Sequence, residues 1–344
     1  MPLAEDAPTA GHCAFVTAPM RGPGFDKMKR LAEVVYEPWI DQQPLKIYDG
    51  PGLAERLKTL GADIAVVEAD FVSGPVFDLP LRAIAATRGD PNNIDVAAAT
   101  SAGIPVLRTP GRNAGAVAEL TIGLLLAVVR QLLAADRDVR ELEVFRHGTI
   151  PYQRFRGWEL AGRRAAVIGY GAVGRALHWR LTGLGMDVAL YDPYVEGAGR
   201  DLRAAVGGAD VVTLHAAVTP ETVGFFGPEQ FSWMQPGSVF LNTARAKLHD
   251  MAALVQALES GQLAGAGLDH FEGEVLPAGH PLLSMPNVVL SPHIGGATTD
   301  TEARGAQMVA DDLEALLAGQ APANLVNPEV VLSQKYTARR TRPE

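Results

Sequence analysis

The stretch Arg164-Ala165-Ala166-Val167-Ile168-Gly169-Tyr170-Gly171-Ala172-Val173-Gly174 sets the architecture to expect. Its first five residues read as a short buried strand, and Ala172 to Gly185 carries apolar residues at helical spacing. Between them stands a G-x-G-x-x-G turn. In that setting the first glycine permits the tight turn, the second lets the backbone approach a pyrophosphate, and the third lets helix and strand pack closely. The helix N-terminus adds unpaired N–H groups and a partial positive charge facing the anion. A second strand-like run, Asp187 to Tyr191, ends in Asp192, eighteen residues beyond Gly174. A carboxylate there accepts both ribose hydroxyls of an adenosine and repels a 2′-phosphate, so the dinucleotide expected is NAD rather than NADP. About 165 residues precede the turn, so another folded unit is expected before it.

Strand-like and helix-like segments alternate along the whole chain, which predicts an α/β protein with parallel sheets. Before the turn, 13–17, 64–67, 82–86 and 105–107 read as strands, with helical patterns at 52–60 and 94–102. From the turn onward, 165–168, 187–191, 210–214, 238–241, 266–268 and 288–290 read as six strands, enough for one complete dinucleotide fold. A long helical pattern from Ala114 to about Arg140 is expected to bridge the two units. A last helix, Thr301 to Leu317, is left over after the sixth strand and is expected to return to the first unit.

Composition narrows the class. With 344 residues and 47% hydrophobic content, the chain has material for two cores. Its net charge of −9 argues against a general nucleic-acid or anionic-membrane binder. The single cysteine, Cys13, allows no internal disulfide and suits a reducing cytoplasm. The first eleven residues lack the charged-then-apolar pattern of a signal peptide, and the apolar run Leu120 to Val129 is too short to cross a bilayer. No histidine pair shows H-x-x-x-H spacing and no cysteine cluster exists, so no metal site is expected. Residues 333–344, with Arg339, Arg340 and Arg342, read as a basic tail.

Three later segments end strands in polar residues: Phe240-Leu241-Asn242-Thr243-Ala244-Arg245, Gly265-Ala266-Gly267-Leu268-Asp269-His270-Phe271-Glu272-Gly273-Glu274 and Leu290-Ser291-Pro292-His293-Ile294-Gly295-Gly296-Ala297. Ligands of open α/β sheets bind outside the carboxyl ends of strands, where these segments lie. With G-Y-G-A-V-G and Y-D-P, the combination N-T-A-R, G-L-D-x-F-E-x-E and S-P-H-I-G-G resembles the D-isomer-specific 2-hydroxyacid dehydrogenases over roughly residues 60 to 330. That family includes 3-phosphoglycerate, D-lactate, glycerate and formate dehydrogenases. The resemblance implies two doubly wound, Rossmann- or flavodoxin-like domains, with an NAD domain (114–299) inserted into a discontinuous substrate domain (1–113 and 300–332).

The resemblance also implies roles. Arg245 falls on the substrate-binding arginine, whose fork suits the carboxylate or keto oxygen of a 2-oxo acid. His293 falls on the acid/base histidine, a residue type that titrates near working pH. Glu274 falls on the carboxylate that orients the ring and stabilises its cation. Gly169, Gly171, Ala172, Val173, Gly174 and Asp192 would hold the dinucleotide, joined by His215, Thr243, Ala244, Gly295 and Gly296. Asp269 resembles a contact to the nicotinamide carboxamide. Arg88, Gly89 and Asp90 lie in a loop resembling the one that holds the substrate carboxylate on backbone N–H groups.

The chain departs from the pattern at several points. Ala246-Lys247 follows Arg245 where glycine is usual, Val275 replaces a proline after Glu274, His270 replaces a common valine, and Asp90 stands where glycine is common. Phosphoglycerate enzymes often place an arginine where Glu68 stands, so phosphorylated substrates lose ground unless Arg88, or Arg154 and Arg156, compensate. The chain also stops near residue 330, leaving no room for their regulatory domain. A small D-2-hydroxy or 2-oxo acid, with or without a phosphate or phosphonate group, is the expected substrate. An NAD(H)-sensing corepressor-like scaffold and an inorganic oxyanion such as phosphite stand as alternatives. Formate fits less well, because formate enzymes of the family lack the glutamate that Glu274 supplies. A homodimer is expected, built on the helix from Ala114 to Arg140 and on Tyr152-Gln153-Arg154-Phe155-Arg156.

Overall fold

The computed structural model describes residues 11–332. The readings for the first ten residues and for the tail at 333–344 lie outside them. The chain forms two compact units, one taking it up to Arg112 and again from Thr298, the other spanning Asn113–Ala297.

The first unit is a five-stranded parallel sheet of β1 (Cys13–Val16), β2 (Glu33–Tyr36), β3 (Ile64–Val67), β4 (Ala83–Ala86) and β5 (Val106–Leu107), in the order β2-β1-β3-β4-β5. Apart from the edge strand β2, its strands are apolar on both faces, as parallel strands covered on both sides must be. Ala14, Val16, Ile64 and Val66 face the helices Gly22–Leu31 and Thr299–Leu317, while Phe15, Ala65 and Val67 face Gly50–Leu60 and Val96–Ala102. Sequence pattern does not show β2 or the helix Gly22–Leu31. One is a short edge strand without alternation, and the other opens on Gly22-Pro23-Gly24.

The late helix Thr299–Leu317 packs in this unit against Gly22–Leu31. At their crossing a β-carbon on Gly24 would sit 2.3 Å from the backbone nitrogen of Gln307. The two helices touch backbone to backbone there, a contact only glycine permits.

The second unit is a six-stranded parallel sheet of β6 (Arg164–Ile168), β7 (Asp187–Tyr191), β8 (Val211–Leu214), β9 (Ser238–Asn242), β10 (Leu263–Leu268) and β11 (Val288–Leu290), in the order β11-β10-β9-β8-β6-β7. The chain runs from β6 out to β7, then crosses back to β8. The β6/β8 boundary is therefore the switch point, where helices depart to opposite faces and a crevice opens at the strands' carboxyl ends. Ala166, Ile168, Val212 and Leu214 face the helices Pro228–Trp233 and Met251–Glu259; Ala165, Val167, Val211 and Leu241 face Ala114–Val129 and Ala172–Gly183. Both sheets are doubly wound, as the alternating segments imply.

The single long helix expected from Ala114 to Arg140 is two helices, Ala114–Val129 and Leu132–Arg140, set 64° apart. Gln131, with φ 51°, stands in the left-handed region and ends the first helix. Both helices lie in the second unit rather than bridging to the first. The first is apolar nearly all round because it is buried on the sheet and on Ala172–Gly183. Among the described residues no single helix is long and apolar enough to cross a membrane.

Gly24→Val should force the two helices apart, costing about 1–3 kcal/mol and lowering the midpoint of thermal unfolding by several degrees. An unchanged melt would show that the crossing tolerates a side chain.

Candidate active site

The glycine turn stands at the switch point. Gly169 has φ +98°, and a β-carbon on it would lie 2.5 Å from the carbonyl carbon of His215 on the neighbouring strand end. On Gly174 it would lie 2.1 Å from the carbonyl oxygen of Gly169, so the helix sits directly against the turn. On Gly171 it would meet nothing within 4 Å. Two glycines are thus required by the chain's own packing, and the middle one leaves its backbone open to approach. Ala172 and Val173 form the first turn of the helix Ala172–Gly183.

Asp192 caps β7 beside this turn. Its carboxylate accepts the N–H of Tyr170 at 2.9 Å and the N–H of Tyr194 at 3.0 Å, which fixes it next to Gly171. At the end of β8, His215 shares a hydrogen bond with the Thr213 hydroxyl through Nε2 at 2.8 Å, while its buried Nδ1 has no partner. Burial holds its pKa down at about 3, so the ring is neutral. An open glycine backbone, an anchored carboxylate and an unpartnered ring nitrogen beside the first glycine fit a dinucleotide.

β9 delivers the next segment. The Asn242 side chain, fully buried, donates to the carbonyl of Arg245 at 2.9 Å and accepts the N–H of Ala244 at 3.0 Å. It also donates to His249 Nδ1 at 2.9 Å. One amide therefore shapes the turn that presents Arg245 to solvent. Arg245 donates to the carbonyl of Ala244 at 2.7 Å. The Thr243 side chain points inward to the Thr121 hydroxyl at 2.8 Å, so only its backbone remains for a ligand.

β10 and β11 deliver the rest. Asp269, fully buried, accepts the Ser291 hydroxyl at 2.6 Å and the N–H groups of Ile294 and Gly295 at 2.9 and 2.8 Å. It clamps the loop that carries His293. Gly295 and Gly296 pack closely against Asp269 and Asn113, respectively. His293 Nδ1 donates to Glu274 Oε1 at 3.0 Å, leaving Nε2 outward. Both residues have positive φ, 56° and 62°, conformations costly for side-chain-bearing residues and typical of functional sites.

His270, which the sequence marks only as a departure, lies in the middle of this group. Its ring centroid is 3.7 Å from that of His293, and its Nε2 is 3.4 Å from Arg245 Nη1. Burial, then the charges of His293 and Arg245, push its pKa down to about 3. His270, Glu274 and His293 bring ligand-type atoms within 4.8 Å of one another, which suits a cation geometrically. The guanidinium beside His270 Nε2 opposes a cation there.

Arg88, Gly89 and Asp90 belong to the first unit, at the carboxyl end of β4. Arg88 donates to Asn92 Oδ1 at 3.0 Å, and Gly89 and Asp90 are exposed. Glu68 ends β3 at that sheet's own switch point, ion-paired with Arg112 and accepting Trp39 Nε1–H at 3.3 Å. Arg154, considered above as a compensating cation, is held by Asp138 at 2.7 Å and the Val144 carbonyl at 2.8 Å. The supports Asn242, Ser291 and Trp39 were not singled out from sequence. Only Asn242 and Ser291, lying inside quoted motifs, left a signal there.

The family model for the D-isomer specific 2-hydroxyacid dehydrogenase NAD binding domain matches residues 122–295. The chain belongs to this family. Its second unit carries the family's NAD-binding domain, and the protein is an NAD-dependent oxidoreductase. A glyoxylate reductase of Korarchaeum cryptofilum is 36% identical over 92% of this chain and 96% of its own length. A D-3-phosphoglycerate dehydrogenase of Archaeoglobus fulgidus is 38% identical over 69% of this chain and 45% of its own length. Among solved structures, the TT0316 protein from Thermus thermophilus superposes with TM-score 0.76 at 34% identity, covering 91% of this chain and 99% of that one.

The buried histidines of the dehydrogenase set a pH dependence. His215 and His249 have pKa values of about 3 and about 4 in the folded protein, both lowered by burial from 6.5. The unfolded chain binds more protons below 6.5, so their stabilising effect is present above that pH and lost as pH falls toward 4. Between pH 6.5 and 5.5, where ordinary carboxylates remain largely ionised, these two and His270, whose pKa is likewise pushed down to about 3, should cost about 3 kcal/mol together. Urea unfolding across that interval measures it, and a flat profile would contradict their neutral burial.

Proposed function

We propose that this protein reduces small, unphosphorylated 2-oxo acids with NADH, Arg245 binding the substrate and His293 supplying the proton. The observation that carries this is Arg245 and the 3.0 Å Glu274–His293 pair at strand ends of the unit whose switch-point turn fits a dinucleotide. NADH supplies the hydride. Arg245 offers a planar fork to the carboxylate or keto oxygen, polarising the carbonyl or orienting the acid. His293 donates from Nε2 to the forming alkoxide, and Glu274 at Nδ1 holds the ring's direction. In the oxidative direction the same nitrogen accepts the proton. Asp192 selects NAD over NADP by occupying the position a 2′-phosphate would need.

Glu68 supports an unphosphorylated substrate. An acid stands where phosphate-binding relatives often place an arginine, and Arg112 is taken up in pairing with it. The glyoxylate reductase relative points the same way. Arg88, Gly89 and Asp90 are proposed as further substrate-binding residues. We also propose a cytoplasmic homodimer. Leu142 is 89% exposed and Tyr152 83%, and Leu132, Leu133, Val139 and Phe145 are exposed with them in one segment. That much apolar surface is typical of an interface.

With NADH, glyoxylate or hydroxypyruvate should be turned over with kcat/KM at least tenfold above the 2-oxo form of 3-phosphoglycerate, and NADPH should serve less well. Arg245→Ala should lower kcat/KM about a hundredfold, and His293→Asn by a factor of roughly 10² to 10⁴. Full activity in either variant would refute its assigned role. Light scattering should give twice the chain mass, and a monomeric mass would exclude the dimer.

A further inference from the structure

His270 is buried at 4% exposure, directly after Asp269 at the carboxyl end of β10. It lies between the two groups assigned to substrate chemistry, with its ring against His293 and its Nε2 beside Arg245 Nη1. A guanidinium only donates, so His270 Nε2 must be the acceptor and its proton must sit on Nδ1. The ring is then neutral. A protonated His270 would be a buried cation facing both Arg245 and His293, which is why its pKa lies far below the working range.

We propose that His270 is a positioning residue, a neutral imidazole braced by its packing against His293 that accepts a hydrogen bond from Arg245, so that the anion fork is held ready for substrate. Arg245 is exposed, and its Nη1 is otherwise tied only to the carbonyl of the preceding residue. A long exposed side chain of this kind loses rotamer entropy when it binds substrate. His270 removes part of that loss beforehand. A valine at 270 has neither an acceptor for Arg245 nor a flat ring for His293. The effect belongs to substrate binding, because Arg245 is the group proposed to hold the substrate acid.

This inference rests on the reductase reading, and its experiment separates the two. His270→Val, His270→Asn and His270→Gln are compared with the native enzyme, with NADH affinity and thermal melting confirming a folded cofactor unit. His270→Val should raise the KM for glyoxylate about tenfold while kcat and the NADH dissociation constant change less than threefold. His270→Asn, whose amide stops short of the Nε2 position, should repeat the rise. His270→Gln, whose oxygen reaches that position, should recover most of the loss. In an Arg245→Ala background, His270→Val should add nothing further to KM, because the partner it acts through is gone. An unchanged KM in both His270→Val and His270→Asn, or an equal effect in both backgrounds, would overturn the positioning role while leaving the reductase reading intact. A native enzyme that binds NADH and reduces no 2-oxo acid would overturn the reductase reading, and this inference with it.

Discussion

A carboxylate that enters no ion pair among the described residues is buried at the carboxyl end of β10 in the second unit, and the candidate site depends on how it is satisfied. Asp269 ends β10 fully buried and takes one hydroxyl and two backbone N–H groups from residues 291–295. A buried charge costs several kcal/mol unless hydrogen bonds replace its lost water, so the loop has little freedom to sit elsewhere. That loop carries His293 in a left-handed backbone conformation and turns its ring toward Glu274. The residue after the carboxylate is His270, which reaches Arg245. One satisfied carboxylate thus holds the loop that carries His293 and stands next to His270, the neighbour of Arg245.

The sheet topology supplies the rest. In a parallel doubly wound sheet all carboxyl ends lie on one edge, so β6, β7, β8, β9, β10 and β11 deliver their polar termini to the same side. The glycine turn follows β6, Asp192 follows β7, His215 follows β8, Arg245 lies beyond β9 and His293 beyond β11. Each terminus is held by short local bonds. Asn242 shapes the arginine turn, two N–H groups hold Asp192, and Thr213 engages His215. The supports are buried polar groups, while Arg245, Glu274 and His293 are left facing solvent. His270 differs from both sets, being buried yet in contact with Arg245 and His293.

Legibility in the sequence followed the range of the interactions. Strands such as Ile64–Val67, Asp187–Tyr191 and Val288–Leu290 were readable to the residue, because each is a short apolar run bounded by turn residues, although only the first is buried throughout and the other two are sheet edges. The edge strand Glu33–Tyr36 was not, since only Ala32 separates it from the helix Gly22–Leu31 and no turn residue marks its start. The helix from Ala114 was readable at its start and mistaken at its middle. Its break at Gln131 occurs where Gly157 crosses so close that a β-carbon there would lie 2.3 Å from the Val129 carbonyl, a contact between residues far apart in the chain.

The candidate site divides along the same line. The sequence by itself determined the doubly wound class, the dinucleotide turn and the arginine, glutamate and histidine at strand ends, because motifs and periodicities are local and each demands particular residue types at particular spacings. It also marked His270 as a departure, without a role. Only the tertiary structure decided that Asp269 is a buried clamp, that the Thr243 side chain faces Thr121, and that His270 lies between Arg245 and His293. These are contacts between strand ends brought side by side by the sheet, and no spacing along the chain encodes which end will neighbour which.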